Sequence, residues 1–184
     1  PYHVRLDCLE EERLAGEKYG STRRGIAPVY SDKYAKKAIR TGDIFYADEL
    51  HHHLKLVLDY KNLMIEKVYG APASEYSEML EYLETYGGEF ADYICDTGEY
   101  LRDAAKAGKH IMFEAQLGAL RDIDFGIYPY TSSSSTISAY APIGAGIPDQ
   151  KLDTVVGIMK AYSSCVGEGP FTVELFGDEG HALR

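Results

Sequence analysis

The residues best suited to chemistry gather in Gly20-Ser-Thr-Arg-Arg-Gly25, which continues as Ile-Ala-Pro-Val-Tyr-Ser-Asp-Lys33. Backbone donors, the hydroxyls of Ser21 and Thr22 and the guanidinium forks of Arg23 and Arg24 lie together between two glycines. Such a set suits a phosphate or carboxylate ligand. A basic surface loop running into a helix after Pro28 uses the same residues, so these types alone leave both readings open. Phe113-Glu-Ala-Gln-Leu-Gly118 follows a short apolar run, His110 to Phe113. A polar amide and a glycine at a strand end suit a ligand crevice; an ordinary strand-to-loop turn looks the same. Asp122 and Asp124 flank Ile123. Paired carboxylates can bind metal or share a proton, but turn capping by Asx side chains is the commoner use and the reading favoured here.

Other candidates carry less. His51-His52-His53 on a helix would spread around its circumference, because helix neighbours face each other at three or four positions. A solvated helix face explains them better than a metal site. Cys8, Cys95 and Cys165 have no disulfide or metal spacing, which suits free thiols in a reducing cytoplasm. The sequence holds no Gly-x-x-x-x-Gly-Lys-Ser/Thr phosphate loop; Val166-Gly-Glu-Gly-Pro lacks the lysine. No nucleophile elbow or assembled Ser/His/Asp signal is present, so no residue is assigned as catalytic.

These residues need elements to hold them. The 184 residues suffice for one domain with a core. A net charge of −10 offers no basic face for nucleic acid. The longest apolar runs, Leu54 to Leu58 and Val155 to Met159, fall well short of the roughly 20 residues of a membrane span. The opening Pro-Tyr-His-Val has neither Met nor a signal-peptide pattern, so the chain is expected to begin within a longer protein.

Residues 1–109 read as mainly helical. Helices are expected over His3 to Ala15, stopped by Gly16, and over Tyr30 to Ile39. Leu50, Leu54, Val57, Met64 and Val68 mark a third, with Lys61 filling the remaining turn and Gly70 and Pro72 ending it. Ser74 is expected to cap a fourth, with Met79, Leu80, Leu83 and Tyr86 on one side. Asp96 and Glu99 resemble a capping box for a fifth that ends at Gly108. Residues 110–184 change character. His110 to Phe113 and Val155 to Ala161 read as buried strands, separated by a long loop with four consecutive serines, Ser132 to Ser135. Tyrosines crowd the helical part at Tyr76, Tyr82, Tyr86, Tyr93 and Tyr100, suiting either an interface or a half-buried surface.

Three long stretches, in this order and separation, resemble the adenylosuccinate synthetase family. They are Gly20 to Lys33, Asp122-Ile-Asp-Phe-Gly-Ile-Tyr-Pro-Tyr130 with its serine run, and Lys160-Ala-Tyr-Ser-Ser-Cys-Val-Gly-Glu-Gly-Pro-Phe171. The resemblance implies an α/β fold related to phosphate-loop GTPases, of which this chain would be the helix-rich central portion. It would have a helical first half, then a few strands and long ligand-binding loops. It implies ligation of IMP and L-aspartate with GTP, assisted by Mg²⁺, in a cytoplasmic homodimer. The γ-phosphate of GTP activates O6 of IMP, and the aspartate amine then displaces phosphate. The family's phosphate loop, catalytic aspartate and histidine would precede this chain, and its aspartate-binding and guanine-recognition segments would follow it. The chain is therefore expected to be inactive alone and to bind neither GTP nor Mg²⁺.

Residue by residue, the resemblance assigns IMP contacts to Thr22, Lys36, Gln116, Ser132 and Val166. Lys36 stands where the family has an arginine that reaches the phosphate from the partner subunit; lysine keeps the charge and loses the fork. Gln116 takes the family's amide position only if the turn is rearranged, since an ungapped match puts Leu117 there. A regular strand would then aim Leu117 at the pocket. An irregular backbone from Ala115 to Gly118 would restore the amide, turning it toward the serine loop. Ser132, beside Thr131, keeps a hydroxyl. Cys165 replaces the arginine usual before the valine. Two other readings stand beside this one: a non-catalytic homologue that binds a purine nucleotide or dimerises, and a related ligase acting on another purine nucleotide.

Overall fold

The computed structural model describes residues 1–183. Seven α-helices are formed among them: α1 (Tyr2–Leu14), α2 (Ile26–Ala35), α3 (Ala47–Lys67), α4 (Tyr76–Phe90), α5 (Thr97–Lys106), α6 (Ala141–Gly144) and α7 (Gly177–Ala182). Short 3₁₀ turns punctuate the loops.

The core belongs to the first half. Tyr2 and Leu6 of α1, Leu54, Val57, Leu58 and Ile65 of α3, and Met79 of α4 are buried together, with Leu9, Ile39, Leu80 and Leu83 packed around them. In α3 the buried positions Leu50, Leu54, Val57, Leu58, Lys61 and Ile65 recur every three or four residues, which forms the single stripe that a helix presents to a core. Lys61 is a lysine within that stripe because Asp32 of α2 meets it. Its Nζ ion-pairs with Asp32 Oδ1, and His3 Nε2 lies 2.7 Å from Asp32 Oδ2. The triad ties α1, α2 and α3 together at one buried carboxylate. Burial lowers the pKa of His3, against an opposing pull from Asp32, so the imidazole is neutral at pH 7 and donates to the carboxylate. Tyr2 beside it is pushed up to about 12, by burial first and then by the Asp32 charge.

Several expectations need correction. α2 begins at Ile26, well before Tyr30, because Gly25 adopts left-handed backbone (φ 78°) at its N-cap and Pro28 falls in the first turn, where a missing N–H costs nothing. It ends at Ala35, because Lys36 at the C-cap has φ of 59° and stops the helix before Ile39. Ser74 does not cap α4, whose N-cap is Glu75. Ser74 is buried, its hydroxyl accepting from Arg5 at 2.8 Å and its N–H donating to Asn62 at 2.8 Å. Asp96 does cap α5, accepting from the Glu99 N–H at 3.0 Å.

The expected strands at His110 to Phe113 and Val155 to Ala161 do not form: no strand occurs among the described residues. Residues 110–118 and 155–161 lack regular structure. Their apolar side chains are open to solvent, with Met112 87%, Ile158 95% and Met159 89% exposed. A strand is closed by hydrogen bonds to a neighbour and gains stability from cross-strand side chains. Local pattern supplies the β-prone residues of these segments but not their partner. No helix of the described residues is long and apolar enough to cross a membrane.

Candidate functional site

The Gly20–Gly25 loop is held from below by α1. Asp7 is buried and its two oxygens take the Ser21 hydroxyl at 2.7 Å and the Gly25 N–H at 2.8 Å. Ser21 Oγ in turn accepts from the Arg23 N–H at 3.1 Å. Thr22, Arg23 and Arg24 are thereby left exposed on a loop anchored at both ends. Asp7 had no signal in the sequence beyond its place in an amphipathic helix.

This loop meets the Gly-rich turn after Val166. The Glu168 N–H donates to Tyr19 O at 3.0 Å. A Cβ on Gly20 would lie 2.6 Å from Glu168 N, so only glycine permits the approach. Tyr19 packs edge-on against Tyr130, ring centroids 6.4 Å apart, and Gly169 lies against the Tyr130 ring. Three stretches far apart in sequence thus converge: the one with Thr22, the one leading from Tyr130 to Ser132, and the one with Val166.

The serine loop is folded around Asp122. This carboxylate is buried and accepts from the N–H groups of Thr136 at 2.7 Å, Asp124 at 2.9 Å and Phe125 at 3.1 Å. The Asx-turn reading therefore holds for Asp122, while Asp124 is exposed. Those bonds, from Thr136 first, hold its pKa below the ordinary carboxylate value against the effect of burial. Ser132 N–H donates to Arg121 O at 2.8 Å, and its hydroxyl lies 3.0 Å from that of Ser134.

Beside this loop opens a cleft of about 450 Å³, lined by Tyr30, Phe113, Gln116, Ser134, Thr136 and Tyr140 among others. Gln116 lines it, and the backbone that follows is irregular: Leu117 and Gly118 both have φ of 74°, and Thr136 Oγ1 donates to Gly118 O at 2.8 Å. The irregular turn expected from Ala115 to Gly118 is present. Lys36 stands apart from this cluster. It follows the ten residues of α2, whose rise of about 1.5 Å per residue carries it roughly 15 Å from the Gly25 end.

His51 faces Glu84 at 3.4 Å and His53 faces Asp43 at 3.7 Å, on different elements. The cysteines are free. Among the described residues no group of three His, Cys, Asp or Glu side chains is placed to hold a metal. Asp122, the best-placed carboxylate, is already engaged by backbone donors.

A helical scaffold with hydroxyl-rich and arginine-bearing loops gathered at one edge has the make-up of a small-anion or nucleotide site. The comparisons give the particular family. The adenylosuccinate synthetase family model matches residues 1–184, and the chain belongs to that family. It is 48% identical over 185 residues to adenylosuccinate synthetase of Symbiobacterium thermophilum and 41% identical over 184 residues to that of Exiguobacterium sibiricum, in each case over 100% of this chain and 43% of the relative. A structure of fully ligated adenylosuccinate synthetase from Plasmodium falciparum superposes with a TM-score of 0.89 at 32% identity, covering 99% of this chain and 42% of that one. The chain thus spans less than half the length of the relatives it matches.

Proposed function

We propose that this chain supplies the IMP-holding part of a GTP-dependent ligase that joins IMP to L-aspartate, giving adenylosuccinate. The observation that carries the reading is the convergence of the Thr22 loop, the serine loop and the Val166 turn. In this reading the Thr22 hydroxyl and neighbouring N–H groups receive the IMP phosphate. Lys36 reaches the phosphate bound by the opposite subunit of a homodimer. The Gln116 amide and the Ser132 hydroxyl meet polar edges of the nucleotide, and Val166 packs on the ribose. In this reading GTP, Mg²⁺ and aspartate are held by other parts of the protein, as the family resemblance implies. Mg²⁺ would neutralise charge on the transferring phosphoryl group; the residues named here orient the acceptor. The helical half, residues 1–109, carries the subunit contact, with Tyr82, Tyr86, Phe90 and Tyr93 exposed along it. The cytoplasm is the compartment that suits three free thiols.

The test is phosphate release by the full-length protein. Release from GTP should require IMP and L-aspartate together, and the purified chain alone should give none above a buffer blank. Release with dGMP but not IMP would overturn the substrate assignment in favour of a related ligase. No turnover with any purine nucleotide, despite binding, would favour the non-catalytic homologue.

A further inference from the structure

Arg121 was assigned no role in the site described above, yet it touches two of the three segments that form it, the Tyr130–Ser132 stretch and the Val166 turn. It ends the short turn Ala119–Arg121 and is half-buried. Its carbonyl accepts the Ser132 N–H at 2.8 Å. Its guanidinium donates through Nη1 to Tyr130 O, while Nη2 lies against Cys165 Sγ and 3.4 Å from Val166 O. The next residue, Asp122, gathers the rest of the serine loop on its carboxylate. The 165–169 turn is otherwise lightly held: Val166 is 81% exposed, and among the described residues the turn is joined to the rest of the chain by the Glu168 N–H to Tyr19 O bond and by the packing of Gly169 on the Tyr130 ring.

We infer that Arg121 is a positioning residue that sets the gap between the serine loop and the Val166 turn, and so the width of the nucleotide pocket. A guanidinium presents its donors in a rigid plane, so two carbonyls bound to it are held at a fixed separation. A lysine in the same place keeps the charge but rotates freely about its last bonds. The inference rests on the nucleotide-binding reading of this site. Its effect is expected on the acceptor nucleotide, because the segments Arg121 joins carry Ser132 and Val166, both assigned to that nucleotide in this reading.

Two measurements on the full-length protein test it. In steady-state kinetics, Arg121→Ala should raise KM for IMP about tenfold, the scale of one lost charge-assisted hydrogen bond. KM for GTP should stay unchanged and kcat should shift by less than about threefold. Arg121→Lys should recover little of the loss. Exchanging the contact partners, Arg121→Cys with Cys165→Arg, should recover most of it by bringing a guanidinium back from the other side. A KM for IMP within twofold of the parent, or equal rises for IMP and GTP, overturns the inference. The second measurement needs no turnover. Hydrogen exchange at the Glu168 amide should speed up in Arg121→Ala while α3 amides stay protected. Unchanged exchange at Glu168 means that Arg121 does not hold the turn. Should Arg121→Ala fail to fold, Arg121→Lys carries both readouts. If the parent itself lacks IMP-dependent release, the ligase reading fails, and the exchange result still decides the tether.

Discussion

The two halves of this molecule are held together by different physics. Residues 1–109 bury a contiguous apolar cluster, Tyr2, Leu6, Leu54, Val57, Leu58, Ile65 and Met79. In the described residues beyond 109, the buried residues are only Asp122, Thr136, Pro142 and Ile147. The first half gains its order from area removed from water, roughly 25 cal/mol per Å². The second gains it from directed bonds: Asp122 gathering the serine loop, Arg121 joining that loop to the Val166 turn, Glu168 tethered to Tyr19. Burial is tolerant of detail and gives a rigid scaffold. Directed bonds fix polar groups at stated positions, which is what recognition of a nucleotide needs. The boundary is crossed where Asp7, on a core helix, grips the Thr22 loop.

The largest effects should come from the scaffold. Asp32→Ala would leave Lys61 buried without its carboxylate, and breaking a buried pair from one side costs about 3–5 kcal/mol. Chemical denaturation followed by helical circular dichroism should register that loss. Asp32→Ala with Lys61→Leu should recover much of it, since no lone charge remains. A loss confined to the single variant's KM, with unchanged stability, would break the division drawn here. Leu54→Ala should cost about 2–5 kcal/mol, because Leu54 is wholly buried among rigid neighbours and the cavity cannot fully collapse.

Lys36 sharpens the comparison from the other side. It belongs by sequence to the scaffold but is exposed, on left-handed backbone at the end of α2. Lys36→Ala should leave the denaturation midpoint unchanged and raise KM for IMP in the full-length protein. The loss of one charge-assisted bond, roughly 1.5–3 kcal/mol, corresponds to about a tenfold to hundredfold rise. An unchanged KM removes Lys36 from the site.

The same division governs what was legible in the sequence. α1, α3 and α5 were readable because their signals are local: apolar spacing over Leu50 to Val68, or Asp96 three residues before Glu99. The start of α2 was not, because it depends on Gly25 packing against the backbone of His3 and Val4, where a Cβ would lie 2.8 Å away. Lys61 read as filling a turn of the stripe without a reason for its charge; the carboxylate that explains it stands 29 residues earlier. The candidate site residues rest on resemblance, and the irregular backbone at Leu117 and Gly118 on asking how an amide could face a pocket. Arg121 was missed, since a reach of 45 residues to Val166 O leaves no trace in spacing. The two strands were misjudged for the same reason: a strand is a property of a pair, and periodicity describes one member.

The smallest effect should be the pH dependence, and it separates the halves most cleanly. His3 has its pKa lowered from 6.5, chiefly by burial, while the facing Asp32 pulls upward and Lys61 pushes down. For a base with a depressed folded-state pKa, the unfolded chain takes up protons first as the pH falls. The contribution of His3 to scaffold stability should therefore be complete above pH 6.5 and be lost gradually as the pH drops toward the folded value. Asp122 also has a depressed pKa, from its ordinary 3.8, but as an acid in the loop region. Its contribution is complete above pH 3.8 and disappears only as the pH falls through its lower folded-state value. Between about pH 6.5 and 4 the helical half should soften while the serine loop stays gathered on its carboxylate. Hydrogen exchange across that range should show α1 and α3 amides losing protection before the Thr136 amide does. His3→Gln, which keeps a donor for Asp32 but cannot titrate, should abolish the slope in the helical amides and leave Thr136 untouched. Parallel loss in both regions would mean that they open as one cooperative unit, and that the contrast in their bonding is not a contrast in their stability.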